Sequence, residues 1–170
     1  VLEASGLVLE NYQEALRRFP YQTLSKTNRL TYDILQLYLQ NQLSGQKFAL
    51  YAEPLGPTIG TQAQLPVLLA EYAFRNKADI ETYLTLLTEM DEYYSTLVHF
   101  EEAKSREGLF MSASAAQAVI DQCNAFIREP SKNFLITVFA ETIEEADFLT
   151  QVEKKHFLEQ NEKAVLEHVI

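Results

Sequence analysis

The sequence contains no tryptophan, a single cysteine, and only five glycines and five prolines in 170 residues. One cysteine, Cys123, cannot form an internal disulfide, so a small disulfide-stapled fold is excluded. Cys123 follows the apolar residues 118–120, and we expect it to be a small core residue rather than a nucleophile. The sequence has no run of about 18 apolar residues and no signal-peptide pattern at its start, and it therefore predicts no transmembrane segment.

Positive charge is also scarce, with 14 Lys and Arg residues against 24 Asp and Glu residues and a net charge of −10. The only adjacent basic pairs are Arg17–Arg18 and Lys154–Lys155. Binding to nucleic acid requires a clustered positive surface that displaces phosphate counterions. The composition therefore excludes a nucleic acid partner and predicts an acidic surface that keeps the protein soluble.

Helical periodicity dominates what the sequence does contain. The hydrophobic fraction of 47% and the charged fraction of 22% are typical of an ordinary globular protein. Leu30, Ile34, Leu37 and Tyr38 recur at helical spacing and form one apolar stripe. Similar patterns along the chain predict an all-α fold, an irregular bundle or array of about six to eight helices.

Two further patterns predict where helices begin and end. Residues 79–106 carry one continuous helical pattern, and Thr150 with Glu153 has the spacing of a capping box that opens the last helix. A chain of this length can bury a core without a disulfide or a metal. We therefore predict a single helical domain over residues 1–170.

The segment 45–66 interrupts the helical pattern. It holds three of the five glycines and three of the five prolines, and we expect no helix to tolerate that density. The sequence predicts one long structured loop here, with at most a short strand over residues 48–51. Such loops often bind ligands, although this one could simply cross the helices and be pinned by its prolines. The candidates for a cleft or interdomain surface are polar side chains able to hydrogen-bond a ligand: Tyr51, Glu53, Thr61, Gln62 and Gln64.

No catalytic arrangement is visible in the sequence. His99 lacks the second histidine of the His-Glu-x-x-His zinc signature. Glu153 and His156 have the Glu-x-x-His spacing of di-iron bundles, but such bundles need a second copy and two further glutamates. We therefore predict no catalytic residue and no metal ligand in this chain. A metal protein built on Glu153 and His156 is the lesser alternative.

The block LYAEPLGPTIGTQAQLPVLLAEY, residues 50–72, is the most distinctive part of the sequence. It resembles the bacterial family called domain of unknown function 885, in particular its Firmicute branch of secreted or lipoprotein-type members. Further blocks agree with the family in the same order: residues 29–35, 79–84, 101–111, 121–123, 133–135 and 161–166. The resemblance spans residues 24–170 and matches the upstream helical part of the family.

The resemblance implies a larger, zinc-peptidase-like protein, because family members are longer and carry a His-Glu…His motif in a downstream half. The chain begins at Val1 and keeps helical periodicity to Ile170, so we expect it to be the non-catalytic N-terminal fragment of such a protein. By resemblance, zinc belongs to the missing half, and the fragment itself holds no cofactor. The implied partners are the C-terminal catalytic half and a peptide substrate, in an extracytoplasmic, secreted or lipid-anchored setting. The alternative is a free-standing helical protein-interaction module.

Overall fold

A computed structural model describes the backbone of residues 2–170 and the side chains from Gly6 onward. This part of the chain forms eight α-helices and no strand, which confirms the all-α prediction. The helices are α1 (Leu2–Arg17), α2 (Lys26–Gly45), α3 (Thr61–Ala70), α4 (Lys77–Thr88), α5 (Met90–Arg106), α6 (Ala113–Ile127), α7 (Phe134–Glu144) and α8 (Gln151–His168). Short 3-10 helices cover Tyr21–Thr23, Gln46–Tyr51 and Pro130–Lys132. None of the helices in residues 2–170 has the length and apolar character required to cross a bilayer.

The chain divides into two compact units, Val1–Ala52 and Glu53–Ile170. We call them the N-terminal unit and the C-terminal unit. The first contains α1 and α2, and the second contains α3 to α8. The prediction of a single domain over residues 1–170 is not tested by this division and stays a prediction.

The N-terminal unit is a hairpin of α1 and α2 whose turn is fixed by local hydrogen bonds. Ser25 caps α2 because its hydroxyl accepts from the backbone N–H of Asn28 at 3.2 Å. The Arg29 side chain donates to the carbonyls of Leu24 and Gln22 at 3.1 and 2.6 Å. Backbone groups that the turn leaves unpaired are thereby satisfied without help from a core.

Little of the hairpin's apolar surface is buried. Among its described side chains, Leu39 is the only large apolar one that is buried. The stripe predicted on α2 does form along one face of the helix, but its four members remain 55% to 61% exposed: Leu30, Ile34, Leu37 and Tyr38. The N-terminal unit therefore presents an uncovered apolar stripe, which we call the α2 stripe.

The C-terminal unit contains a continuous apolar core. α7 packs against α8, α4 packs on α8, and α3 packs on α7. The core side chains are Leu69, Ile80, Tyr83, Leu87, Met90, Leu135, Phe139, Ile143, Ala146, Leu149, Phe157, Ala164 and Val165. The rings of Tyr83 and Phe139 stack with centroids 5.4 Å apart, and Phe74 meets both edge-on. Pairs of this kind add about 0.5–1.5 kcal/mol beyond their buried area.

The capping box at the start of α8 is confirmed. The backbone N–H of Glu153 donates to the Thr150 hydroxyl at 3.3 Å, and the backbone N–H of Thr150 donates to the Glu153 carboxylate at 2.8 Å. The placement of Cys123 in the core is wrong, because this residue is exposed on α6. Its neighbour Val119 is the buried residue of that helix.

The single helix predicted over residues 79–106 is also wrong, because Glu89 interrupts it between α4 and α5. Leu87 and Met90, on either side of the interruption, are both buried in the core. These two residues are three positions apart and would share one face of an unbroken helix as well, so their burial does not account for the break.

The segment 45–66 is structured, but much of it is helical. The 3-10 helix Gln46–Tyr51 replaces the suggested strand, and α3 begins at Thr61, so irregular backbone is confined to residues 52–60. Pro66 lies inside α3 and removes one backbone hydrogen bond from it. Its ring and the side chain of Leu69 are buried. That burial compensates for the lost hydrogen bond. The density of Pro and Gly therefore predicts a loop up to residue 66, whereas α3 already begins at Thr61.

Candidate functional site

Two glutamine side chains fix residues 52–60, which we call the pinned loop. Gln62, in the first turn of α3, donates from Nε2 to the Gly56 carbonyl at 2.6 Å and to Gln122 Oε1 at 2.9 Å. Gln122, on α6, donates in turn to the Pro57 carbonyl at 2.5 Å. The pinned loop is therefore tied to α3 and α6 by side-chain amides.

Gly60 is required at the end of the pinned loop for reasons of space. A Cβ atom at this position would lie 2.3 Å from the backbone nitrogen of Gly56 and 2.1 Å from Gln62 Oε1. The φ of Gly60 is −68°, so backbone conformation does not demand glycine here. The N–H of Thr61 donates to the Pro54 carbonyl at 2.8 Å and closes the loop. A larger residue at position 60 would force this closed loop apart.

The five candidate residues from the sequence do not form one constellation. Tyr51 is 64% exposed and lies in the N-terminal unit, whereas the other four lie in the C-terminal unit. Thr61 and Gln64 belong to the start of α3, and Gln62 is engaged in the pinned loop. Their role as a cleft or interdomain surface stays a prediction.

Glu53, the fifth candidate, belongs to a partly buried charge cluster. The Lys104 side chain is fully buried, and its Nζ lies 2.9 Å from Glu53 Oε2 and 3.7 Å from Glu101 Oε2. Glu53 has a 57% exposed side chain, but that of Glu101 is only 8% exposed. We call Glu53, Glu101 and Lys104 the charge cluster.

Glu101 is the incompletely satisfied member of the charge cluster. Neither of its carboxylate oxygens has a hydrogen-bond partner, because the 3.7 Å separation from Lys104 Nζ is too long for one. Burial raises the pKa of Glu101; the charge of Lys104 opposes that rise and the charge of Glu53 adds to it. A buried carboxylate without donors is unfavourable. Glu101 is therefore a buried carboxylate whose hydrogen-bonding capacity the described residues leave unmet.

Glu101 lines a cleft of about 380 Å³ between α5 and α6, which we call the α5–α6 cleft. The walls are largely apolar, and several of the residues that form them are at least 40% exposed. The apolar wall residues include Leu55, Val98, Phe110 and Ile120. An exposed apolar cleft with a buried carboxylate at its side is the combination expected of a binding site.

The spacing of residues along α5 indicates this site in the sequence, although composition and motifs do not. Met90, Tyr94 and Leu97 follow one another at alternating steps of four and three residues on α5. The next two steps reach Glu101 and Lys104, so the same face continues with two charged residues. Charged residues on the apolar face of a helix indicate a buried ion pair or a site.

Comparison with known proteins places the chain in a family. A family model described as "Bacterial protein of unknown function (DUF885)" matches residues 3–170. The chain belongs to this family. No curated protein matches the sequence.

The DUF885 chain also resembles a solved structure. A crystal structure of a "putative lipoprotein" from Colwellia psychrerythraea matches 96% of the chain with a TM-score of 0.81 and 15% sequence identity. At this identity the likeness shows the fold alone. The chain spans 30% of the length of that protein.

Within the Glu153–His156 pair of the DUF885 chain, it is Glu153 that makes the contacts, and they are at the ends of helices. Glu153 accepts hydrogen bonds from Thr150 in the capping box and pairs with Lys77 across to α4. The Lys77 hydrogen bond is the largest of the effects that lower the pKa of Glu153 to about 2. Among the side chains described, from Gly6 onward, no three His, Cys, Asp or Glu residues come together as metal ligands would.

Proposed function

We propose that this chain is a non-catalytic helical region of a longer, zinc-peptidase-like DUF885 protein. In this role it packs against the catalytic part of that protein and forms one wall of the substrate cleft. The observation that carries the proposal is the uncovered apolar surface of the N-terminal unit.

The accessible surface of the chain is larger than its size requires. It measures 11610 Å², whereas two separate globular units, Val1–Ala52 and Glu53–Ile170, would together expose about 10,000 Å². Any contact between the two units would lower the measured accessible surface. The excess of the measured surface over the expected one is therefore not produced by such contact. One side of a standard protein interface occupies about 800 Å². The excess is large enough for such an interface.

The N-terminal unit is not expected to be stable with its apolar residues in water. Units of this size are marginal even when their core is complete. In the described part of this one, Leu39 is the only large apolar side chain that is buried. Burial of one Leu, Ile or Phe side chain contributes about 1.5–3 kcal/mol. Covering the α2 stripe would therefore supply stabilisation that the hairpin lacks, which supports docking on another part of a longer protein.

Two further observations support the finer parts of the proposal. The chain spans 30% of the solved relative of the same fold, so related folds occur within much longer proteins. That relative is described as a lipoprotein, which supports an extracytoplasmic, secreted or lipid-anchored location of the kind found in the Firmicute branch. In this proposal zinc and its ligands belong to the part outside residues 1–170, and the substrate is a peptide.

The docking role is tested by Ile34→Asp, measured both in the 170-residue chain and in the longer protein. Ile34 is exposed in the chain, so the change should alter the free energy of unfolding by less than about 0.5 kcal/mol there. In the longer protein it would bury an unpaired charge and should cost more than about 2 kcal/mol. Gln36 is exposed on another face of α2, so Gln36→Asp is the matched control. It should leave the free energy of unfolding unchanged in both the 170-residue chain and the longer protein.

Urea unfolding followed by circular dichroism measures these changes. An Ile34→Asp effect below 0.5 kcal/mol in both proteins would contradict docking and favour the free-standing interaction module. The peptidase part is tested separately. A zinc chelator should abolish peptide hydrolysis by the longer protein, and a reading frame without a His-Glu…His motif beyond Ile170 would exclude that part of the proposal.

A further inference from the structure

We propose that the α5–α6 cleft receives a helix from the part of the longer protein outside residues 1–170, and that this helix is amphipathic with basic residues beside its apolar face. The inference rests on the proposed function, because it adds a second docking site and names the chemistry of what fills it. Its residues lie in the C-terminal unit, whereas the α2 stripe lies in the N-terminal unit. The two docking sites can therefore be tested separately.

The first argument is the spacing of the wall residues. On α5 the wall includes Val98, Glu102 and Ser105, at steps of four and three residues, so they lie on one face of the helix. On α6 it includes Ala116 and Ile120, which are one turn apart. The cleft is therefore a groove between two helix faces, about 10 Å long. The apolar side chains of a third helix recur at the same steps and fit such a groove.

The second argument is the apolar surface that the cleft leaves in water. Val98, Phe110 and Ile120 line it and are 55%, 46% and 52% exposed. Scattered exposed apolar residues are normal on a soluble protein, but a concave group of them marks a docking or binding surface. Covering these side chains would remove apolar surface from water and so favour docking.

The third argument is the sign of the charge around the cleft. The C-terminal unit holds 20 acidic and 9 basic residues, a net charge of −11. The segments that line the cleft, residues 53–60 and 98–127, hold five carboxylates against two Lys or Arg residues. One of those two, Lys104, is fully buried. Basic residues beside the apolar face of the docking helix are attracted to this surface, whereas acidic ones are repelled.

The fourth argument concerns the source of the helix. The chain spans 30% of the solved protein that shares its fold, so most of that protein lies outside the shared part. A helix of the same polypeptide docks at high effective concentration and needs only a short groove. A second copy would need about 800 Å² on each partner, far more than a groove about 10 Å long offers. Two chains of net charge −10 would also repel each other.

The test uses Cys123 as a natural reporter of cover over the cleft. It is exposed and lies on α6 three positions after Ile120, so it continues the same face by one turn. Labelling with N-ethylmaleimide is followed by mass spectrometry of the peptide that contains Cys123. It should be at least about 10-fold slower in the longer protein than in the 170-residue chain, because labelling there requires the helix to leave.

A control moves the reporter to the other side of α6. Asp121 is exposed, and two residues along a helix are about 200° apart. Asp121→Cys combined with Cys123→Ser should therefore be labelled at rates that differ less than about 2-fold between the two proteins. Ile120→Asp should speed labelling of Cys123 at least about 5-fold in the longer protein, because it places a charge under the docked helix, and less than about 2-fold in the 170-residue chain.

Two further substitutions test the charge of the helix. Glu102 and Glu159 are both exposed glutamates that pair with a basic residue one turn away, and Glu102 lies at the cleft. In the longer protein, Glu102→Lys should speed labelling of Cys123 at least about 3-fold, because it repels basic residues of the docked helix. Glu159→Lys makes the same change of charge on α8 and should alter the rate less than about 1.5-fold.

The outcomes separate the proposal from its rivals. Equal labelling of Cys123 in the two unsubstituted proteins would overturn the inference, whatever the variants do. Equal effects of Glu102→Lys and Glu159→Lys would overturn the basic character of the helix. Labelling of the 170-residue chain that slows as its concentration rises would assign the cleft to a second copy. Unprotected Cys123 together with a destabilising Ile34→Asp would reject this inference alone, whereas protected Cys123 with a silent Ile34→Asp would support it and reject docking through the α2 stripe.

Discussion

Replacing Lys104 by methionine should destabilise the C-terminal unit because it removes the buried cation of the charge cluster. Methionine has a similar length and no charge, so the substitution leaves little cavity. What it does leave is Glu101, buried and without a hydrogen-bond partner, and Glu53, which is exposed enough to be solvated. The perturbation therefore acts mainly through Glu101.

The size of the effect follows from the distances. At 3.7 Å and an effective dielectric constant of about 20, the attraction between Lys104 and Glu101 amounts to about 4.5 kcal/mol. The contact with the exposed Glu53 is screened by solvent and adds less than about 1 kcal/mol. Removing Lys104 also removes the cost of burying its ammonium group, and Glu101 can take up a proton. We expect a net loss of about 3 kcal/mol.

Urea unfolding at neutral pH, followed by circular dichroism, measures the loss. The double variant Lys104→Met with Glu101→Gln should lie within about 1 kcal/mol of the unsubstituted chain, because both buried charges are then gone. Lys132→Met removes an exposed, ion-paired lysine and is the control, with an expected loss below about 0.5 kcal/mol. A Lys104→Met chain as stable as the control, or a double variant at least as unstable as Lys104→Met, would refute the reasoning.

Three further predictions concern the pinned loop and the start of α8. Gly60→Ala should cost more than about 2 kcal/mol in thermal unfolding, because its Cβ would meet the backbone of Gly56, whereas Gly56→Ala places its Cβ in open space and should be nearly neutral. Gln62→Ala should cost about 1–2 kcal/mol through the lost amide bonds, against no measurable change for the exposed Gln64→Ala; equal effects would contradict the role of the amide. The pKa of Glu153 is lowered from 4.5 to about 2, so its carboxylate stabilises the fold above pH 4.5 and loses this contribution as the pH falls toward 2. Unfolding midpoints of Glu153→Gln should vary less across that window, and an unchanged acid profile would contradict the assignment.

Features that depend on neighbouring residues were predictable from the sequence. The capping box of Thr150 and Glu153 forms as expected, because both partners lie within one helical turn. The apolar residues of α2 do form a helical stripe for the same reason. That the stripe is left uncovered was not predictable, because periodicity indicates a face that is to be buried and does not say by what.

Features that depend on distant residues were not predictable. Gln62 finds its partner Gln122 sixty positions further along the chain, and no local pattern links the two. Pro66 predicts the end of a helix, but its ring is buried and α3 continues through it. Glu101 and Lys104 fall at positions where the face of α5 should be apolar, and only the packing shows that this charged pair is buried.

The amide pin between the pinned loop and α6 also fixes the spacing between the loop wall and the α6 wall of the α5–α6 cleft. Gln122 holds the carbonyl of Pro57, while Leu55 of the same loop and Ile120 of the same helix line the cleft. The two walls of the cleft are thus held apart by hydrogen bonds that involve no residue of the apolar core. Relatives that change the loop while keeping both glutamines would alter the lining of the cleft without altering the scaffold that carries it.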